Sequence, residues 1–389
     1  MASIPQSLAK AIPYDDAVTL LEKLVSIKTV NPPGNEIALQ EVVEQSMKDL
    51  GMTVEIVEKE KGRANFIGKI GNGGPSIGFF PHLDTVPAGD GWDTDPFAPT
   101  IKDGKMYGRG TIDSKGNFAS SWAAIKAFRS LHPEFKGTIY LVGCADEEQG
   151  SQNGVQYLLS KGFRVDYAIV PDGGYMDKII IGEKGIIRLK IKSYGKQAHA
   201  SSPERGINAV ENLIRMLHKI SELRFDEFTF HEEFSGVTKN IGEIHGGHAP
   251  NIIPAYADAS IDIRFPLGVD RKKILDKIHE KERELIAEVK DAKIEIEELF
   301  GVEAHITDPS SEIKMAILES AAKLGINMRI GTMGGVTDAK PLSFAGIETI
   351  VHSMDDGSHG AHNANEYLLL ENLKLASALY ALTLEKILS

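Results

Sequence analysis

The sequence predicts an α/β protein: a mostly parallel sheet flanked by helices, interrupted by an inserted ferredoxin-like β-α-β-β-α-β domain. Three observations predict it. Short apolar runs bounded by glycine or proline alternate with amphipathic helical stretches over 1–185 and again over 301–389, the pattern of strands covered on both faces. Between 186 and 300 the order becomes strand, helix, strand, strand, helix, strand, which is the ferredoxin-like unit. Finally, acidic residues and histidines recur just past the ends of the apolar runs, where parallel sheets present their chemistry.

In chain order, 15–27 and 36–50 carry apolar residues at helical spacing, and 53–57 and 65–70 read as strands. The run 77–80, between Gly-Pro and Pro-His, reads as a buried strand. A helix over 114–131, a strand over 137–145, a helix over 155–161 and a strand over 166–170 follow. The insertion begins with the alternating strand 186–193. The amphipathic helix 206–223 comes next, with Ile207, Val210, Leu213, Ile214 and Leu217 on one face. Strands 238–245 and 256–265, a helix over 270–289 with Asp270 as N-cap, and a strand over 293–299 complete it. Helix 311–324, strand 348–352 and helix 366–387 return to the first pattern.

At 389 residues the chain is long enough for two or three domains, and 42% hydrophobic with 25% charged residues is ordinary globular composition. No apolar run reaches the roughly 18 residues of a membrane span, and residues 1–13 lack the apolar core of a signal peptide. Membrane partnership is not expected. A net charge of −12 argues against nucleic-acid binding. The single cysteine, Cys144, reads as a small core residue; it excludes an intrachain disulfide and fits a reducing, cytoplasmic setting.

Glu147 and Glu148 follow the strand 137–145 directly. A lone Glu-Glu pair is ordinarily solvated surface. Adjacent residues at a strand end point in different directions, so one could ligate a metal while the other works on a water at that metal. Four further sites stand at comparable positions: His82 and Asp84, Asp113 in a glycine-bearing loop, Asp172 after a strand, and His362 in a Gly-rich segment. His82 and Asp84, two apart, leave on the same side, so Asp84 can accept the second ring N–H of a metal-bound His82. Asp113 has two oxygens and can bridge two metals. With Glu148, Asp172 and His362 the set has the donor types of zinc hydrolases, and a metal pair about 3.5–4 Å apart suits hydrolysis.

The segments FFPHLDTVP, YGRGTIDSKGN, ADEEQGS, PDGG and GAHNANEY, in this order and with the inserted domain, resemble a known family across nearly the whole chain. It is the dinuclear-zinc peptidases and deacylases that include acetylornithine deacetylase, succinyl-diaminopimelate desuccinylase, aminoacylase and carboxypeptidase G. The resemblance implies a zinc-peptidase-like catalytic domain, 1–185 and 301–389, and a lid or dimerisation domain, 186–300. It implies two divalent metal ions per subunit, zinc first with cobalt or manganese as substitutes. One would be held by His82, Asp113 and Asp172, the other by Asp113, Glu148 and His362. Glu147 would be the general base and Asp84 the partner of His82. Relatives often have a cis peptide after the bridging aspartate, where this chain has Ser114 rather than a second acid.

In the insertion, the segment around His199 matches the family's oxyanion-stabilising histidine, commonly supplied by the other subunit of a dimer; the plain alternative is a structural histidine in a polar loop. Asn251 and Arg264 resemble the substrate-binding pair, and an arginine suits bidentate carboxylate recognition, although a surface salt bridge would also account for it. Gly335 and Thr337 lie in a third segment, with Lys340 where relatives often have arginine. The resemblance thus implies a hydrolase of the amide in a small N-acyl amino acid or short peptide, working as a homodimer through the insertion. Deacylase, dipeptidase and carboxypeptidase remain open, as does a catalytically silent metal-binding relative. Gly108-Arg-Gly lacks the third glycine and spaced acid of a dinucleotide fingerprint. His359 is the local rival of His362 as a ligand, and His132, His218, His231, His279 and His305 read as surface or packing residues without partners. His245 and His248, flanking two glycines, read as loop residues near the substrate.

Overall fold

A computed structural model describes residues 3–358 and 360–389. The chain folds as two compact units: Met1–Gly182 with Thr307–Gly331 and Val336–Ser389, and Glu183–Ile306 with Thr332–Gly335.

The larger unit is a central sheet flanked by helices. Its strands run in the order Thr53–Glu58, Ala64–Asn72, Gly137–Gly143, Ser76–Phe79, Tyr167–Val170, Glu348–Val351 and Lys178–Glu183. The four strands from Gly137–Gly143 to Glu348–Val351 are mutually parallel, and the strands outside them pair antiparallel. The parallel reading therefore applies to the centre of the sheet, and its margins make the whole mixed. The central runs are short and apolar because they are covered on both faces: Ile77, Phe79, Ile139, Leu141, Ala168, Ile169 and Ile350 are buried.

Helix Lys115–Leu131 is buried along most of its length and packs against Tyr14–Ser26 and Leu370–Leu388. Ala119, Ala123, Ala124 and Ala127 on one helix and Ala376, Ser377 and Ala378 on the other are small and buried. The buried Lys115 ammonium donates to the carbonyls of Leu24 (2.9 Å) and Ile27 (2.7 Å), at the end of helix Tyr14–Ser26. Burial pulls its pKa down to about 7.

Several elements differ from the sequence reading. The last helix begins at Leu370, not 366, because Tyr367–Leu369 is a strand on the hairpin Thr100–Lys102/Lys105–Tyr107. That hairpin turns at Asp103 (φ 52) and Gly104 (φ 74), a left-handed pair of the kind an Asp-Gly sequence favours. Lys178–Glu183 and Arg329–Met333 are strands where none is expected.

The smaller unit has a four-stranded antiparallel sheet in the order Thr238–Gly246, Tyr256–Phe265, Gly185–Tyr194, Lys293–Val302, with helices Ala209–Glu222 and Arg271–Glu288 packed on it. Asn208 and Asp270 cap these helices through side-chain oxygens. Ile187, Leu189, Ile191, Leu213, Met216, Ile261, Ile263, Ile274 and Ile278 form the core between sheet and helices.

Candidate metal centre

The centre lies past the carboxyl ends of the parallel strands. Strand Ser76–Phe79 runs beside Gly137–Gly143, and an isolated parallel bridge between His82 and Cys144 continues that register to the strand ends. It sets His82 level with the turn that begins the Glu147–Glu148 segment. Asp172 follows the neighbouring strand Tyr167–Val170. Asp113 closes a loop that is pinned from behind: Glu366 Oε1 accepts the backbone N–H groups of Gly110 (3.0 Å), Ile112 (2.9 Å) and Asp113 (3.2 Å). Arg109 Nη1 donates to Glu366 Oε2 at 2.5 Å. Burial, then the Asp113 charge, raises the Glu366 pKa to about 7. The Asp113–Ser114 peptide is cis, and the Ser114 hydroxyl donates to the Pro171 carbonyl at 3.0 Å.

Two groups of ligand atoms converge, each within 4.8 Å: His82, Asp113 and Asp172, and Asp113, Glu148 and His362. Asp113 is common to both. Its Oδ1 lies 2.8 Å from His82 Nε2 and its Oδ2 lies 3.0 Å from His362 Nε2. His362 Nε2 is also 3.2 Å from Glu148 Oε2, and His82 Nε2 is 4.0 Å from Asp172 Oδ1. His359 lies outside the described residues.

Carboxylates and two histidines set the electrostatics of the site. Burial opposes charge on His82, yet hydrogen bonds to Asp113 and Asp84 raise its pKa well above the ordinary value. Hydrogen bonds to Asp113 and Glu148 raise His362 to about 10. Burial works against the Asp113 charge, but the two histidines hold its pKa low. Burial and the neighbouring carboxylates push Asp172 up to about 8, and burial with Asp172 raises Glu147 well above its usual range. Among the described residues, Glu148 Oε1 is buried with no hydrogen-bond partner. Imidazole and carboxylate donors aimed at common points, with one carboxylate shared and an orphaned oxygen among them, fit a pair of divalent cations.

Asp84 does more than face His82. His82 Nδ1 is nearer the Asp84 main-chain carbonyl (3.0 Å) than its Oδ1 (3.5 Å). The Asp84 carboxylate accepts the backbone N–H groups of Glu147 and Glu148, each at 3.1 Å, and Asn31 Nδ2 at 2.8 Å.

The remaining candidates belong to several places. His199 is exposed in the short strand Ala198–His199, paired with Ile252–Ile253. Its Nδ1 accepts the Ser201 backbone N–H at 3.2 Å, which leaves the proton of the neutral ring on Nε2. Arg264 is held bidentately by Asp262, at 2.5 and 3.0 Å, and donates to the Gly334 carbonyl at 3.0 Å. Asn251 is exposed, and its carbonyl accepts the Ala200 N–H at 3.1 Å. Thr337 is buried and its hydroxyl accepts the Ala339 N–H at 3.1 Å, while Gly335 belongs to the smaller unit. The histidines expected to lack partners have them: His218 with Glu222, His279 with Glu282, His305 with Glu183, His132 stacked on Phe128, and His231 edge-on to Phe234. His245 pairs with Asp258. Sequence reasoning missed Asn31, Glu36, Arg63 and Asp146 behind the centre; only their polarity beside apolar runs could have marked them.

Residues 78–386 match peptidase family M20/M25/M40. The chain belongs to this family and is a metal-dependent hydrolase. It is 31% identical to the succinyl-diaminopimelate desuccinylase of Nautilia profundicola, over 90% of this chain and 93% of the relative. It is 32% identical to an uncharacterized metallohydrolase of Methanocaldococcus jannaschii, over 94% and 98%. In fold it resembles the aminopeptidase PepT of Bacillus cereus, with a TM-score of 0.78 and 23% identity over 97% and 99% of the chains. No described helix is long and apolar enough to cross a membrane.

Proposed function

We propose that this chain is a dinuclear amidohydrolase that cleaves the amide of an N-acyl amino acid, of the deacetylase or desuccinylase type. The observation that carries the reading is the Asp113 carboxylate, with one oxygen on His82 and the other on His362. His82, Asp113 and Asp172 would hold one ion and Asp113, Glu148 and His362 the second, with Zn²⁺ favoured by the donor set and Co²⁺ or Mn²⁺ able to substitute. Bound there, the ions would polarise the scissile carbonyl and acidify the attacking water.

Glu147 takes the proton from that water and delivers it to the leaving nitrogen. Asp84 fixes both sides of the arrangement, holding His82 and the amides of Glu147 and Glu148. His199 donates its Nε2–H to the developing oxyanion from a second copy of the chain. Arg264, with Asn251, Gly335 and Thr337, receives the carboxylate end of the substrate. The copies pair through the inserted unit, whose edge strand Thr238–Gly246 exposes Ile241 and Ile244. The desuccinylase relative supports the deacylase reading.

Release of free amine from N-acetyl, N-succinyl and dipeptide substrates tests this. N-acyl amino acids should be hydrolysed, a chelator should abolish the reaction, and Zn²⁺ or Co²⁺ should restore it. Faster turnover of dipeptides would move the chain to a dipeptidase or carboxypeptidase. No amine from any substrate by the metal-loaded protein would leave a silent binding relative.

A further inference from the structure

We propose that Arg63 is a positioning residue for Glu147 and Glu148, acting through Asp146, Asn31 and Asp84. The inference rests on the roles given to the two glutamates above. Three of the residues involved, Asn31, Glu36 and Arg63, precede the family-matched segment 78–386.

Arg63 is 7% exposed, and its guanidinium meets Glu36 bidentately, Nε to Oε2 at 2.8 Å and Nη2 to Oε1 at 2.7 Å. The same Nη2 lies 3.0 Å from Asp146 Oδ1. Asp146 immediately precedes Glu147 and stands in the left-handed region, at φ 66, a conformation that needs support from its surroundings. The support is visible. Its amide donates to Glu36 Oε1 at 3.2 Å, and its Oδ2 accepts both the backbone N–H and Nδ2 of Asn153, each at 3.0 Å. Asp146 thereby clasps the two ends of the segment that carries Glu147 and Glu148. Gly154, next along, lets this segment close: a Cβ there would lie 1.9 Å from the Ala145 carbonyl oxygen.

The chain of contacts continues to the centre. Asn31 Nδ2 is shared between Asp146 Oδ1 (3.1 Å) and Asp84 Oδ2 (2.8 Å), and Asp84 accepts the amides of Glu147 and Glu148. Glu36, Asp84 and Asp146 are all buried acids, and the guanidinium is in direct contact with two of them. Its planar fork serves Glu36 and Asp146 at once, which a lysine ammonium cannot do in the same geometry. A segment fixed from both sides in this way presents its two carboxylates in one arrangement, and outer partners of that kind tune metal affinity.

The test compares Arg63→Met, Asn31→Ala, Glu36→Gln/Arg63→Met and Glu147→Gln by zinc calorimetry on the metal-free protein, steady-state kinetics and thermal melting. Arg63→Met and Asn31→Ala should each weaken zinc binding about 10–100-fold and lower kcat by a similar factor, the usual scale for an outer partner, with KM nearly unchanged. Asn31→Ala leaves the Arg63–Glu36 pair whole, so its melting temperature should stay near that of the parent. Arg63→Met strands two buried acids, Glu36 and Asp146, and should melt earlier. In Glu36→Gln/Arg63→Met one of these two charges is gone, so melting should recover in part while kcat and zinc affinity should not. Parental kcat and zinc affinity in Asn31→Ala, or recovery of kcat together with melting in the double variant, would overturn the positioning role. An inactive Glu147→Gln beside such results removes this inference alone. A fully active Glu147→Gln removes the functional reading beneath it.

Discussion

The core of the inserted unit is made of isoleucine, leucine, methionine, phenylalanine, valine and alanine between one sheet and two helices. The larger unit has an apolar core too, but around its metal centre it also buries Arg63, Arg109, Lys115, Glu36, Asp84, Asp146 and Glu366, whereas the buried Glu183, Lys184 and Asp258 of the inserted unit lie outside its core cluster. In the first case burial alone suffices, each large side chain contributing about 1.5–3 kcal/mol. In the second, every buried charge must find partners, because an unpaired one costs several kcal/mol. Such an arrangement makes sense where side chains must be held in place rather than merely kept from water. The inserted unit keeps its candidate polar groups, His199, Asn251 and Arg264, outside the core cluster. The comparison implies that substitutions stranding a buried charge behind the metal centre disturb stability and activity together, whereas those at the polar groups outside the inserted unit's core disturb activity alone.

The largest expected effect tests the polar side of the contrast at its tip. Glu147→Gln keeps the shape and removes the base, so kcat should fall roughly 10²–10⁴-fold with metal content and melting temperature retained. Elemental analysis beside the kinetics distinguishes the two acids. If Glu147→Gln lost a metal ion while Glu148→Gln kept both, the roles of base and ligand would be exchanged.

A smaller effect is expected at Arg264. Two of its N–H groups are already engaged by Asp262, so a substrate carboxylate would use those that remain. Arg264→Lys should lower kcat/KM by roughly 10-fold, about the worth of one charge-assisted hydrogen bond, and leave thermal melting unchanged. The loss should shrink when the substrate carboxylate is replaced by an amide. An equal loss on both substrates would return Arg264 to a salt bridge within its own sheet.

The same contrast explains what was legible in the sequence. The strand-helix-strand-strand-helix-strand order of the insertion could be read because its periodicity is that of a one-sided apolar core, and its caps Asn208 and Asp270 are local. The metal-facing residues stand in short segments after strand ends, so His82, Asp113, Glu148, Asp172 and His362 could be listed from position and residue type, and the structure brings their ligand atoms together. Arg63 and Glu36 lie 27 positions apart, and Asn31 and Asp146 lie 115 apart, so no local pattern joins them. The hairpin around Asp103-Gly104 was different: the turn signal was present, and overlooking it moved the start of the last helix to 366, when Glu366 in fact serves the Asp113 loop and Tyr367–Leu369 joins that hairpin. The antiparallel margins of the sheet follow from tertiary pairing, which the apolar runs alone do not encode.

The smallest effect concerns a buried polar pair that belongs to the scaffold of the larger unit. His352 directly follows the strand Glu348–Val351, fully buried, with Nδ1 2.8 Å from the Tyr380 hydroxyl and Nε2 3.3 Å from the Met176 carbonyl. Burial lowers its pKa to about 4, against an ordinary value of 6.5, with the Met176 carbonyl opposing the shift in part. The folded protein therefore keeps this ring neutral where the unfolded chain protonates it. Between pH 6.5 and about 4 the unfolded state binds more protons, so stability falls as pH falls through that window and the contribution is fully present above it. The loss amounts to at most about 3 kcal/mol at the acid end. Urea unfolding of metal-free protein, compared with metal-free His352→Gln, isolates the effect from the titration of the metal centre. The parental protein should lose stability more steeply than His352→Gln from pH 6.5 downward, and the two curves should run parallel above it. Curves that stay parallel down to pH 4 would mean that the ring is protonated as readily in the folded state as in the unfolded one, and that this buried pair is not held as the remainder of the larger unit's polar interior is held.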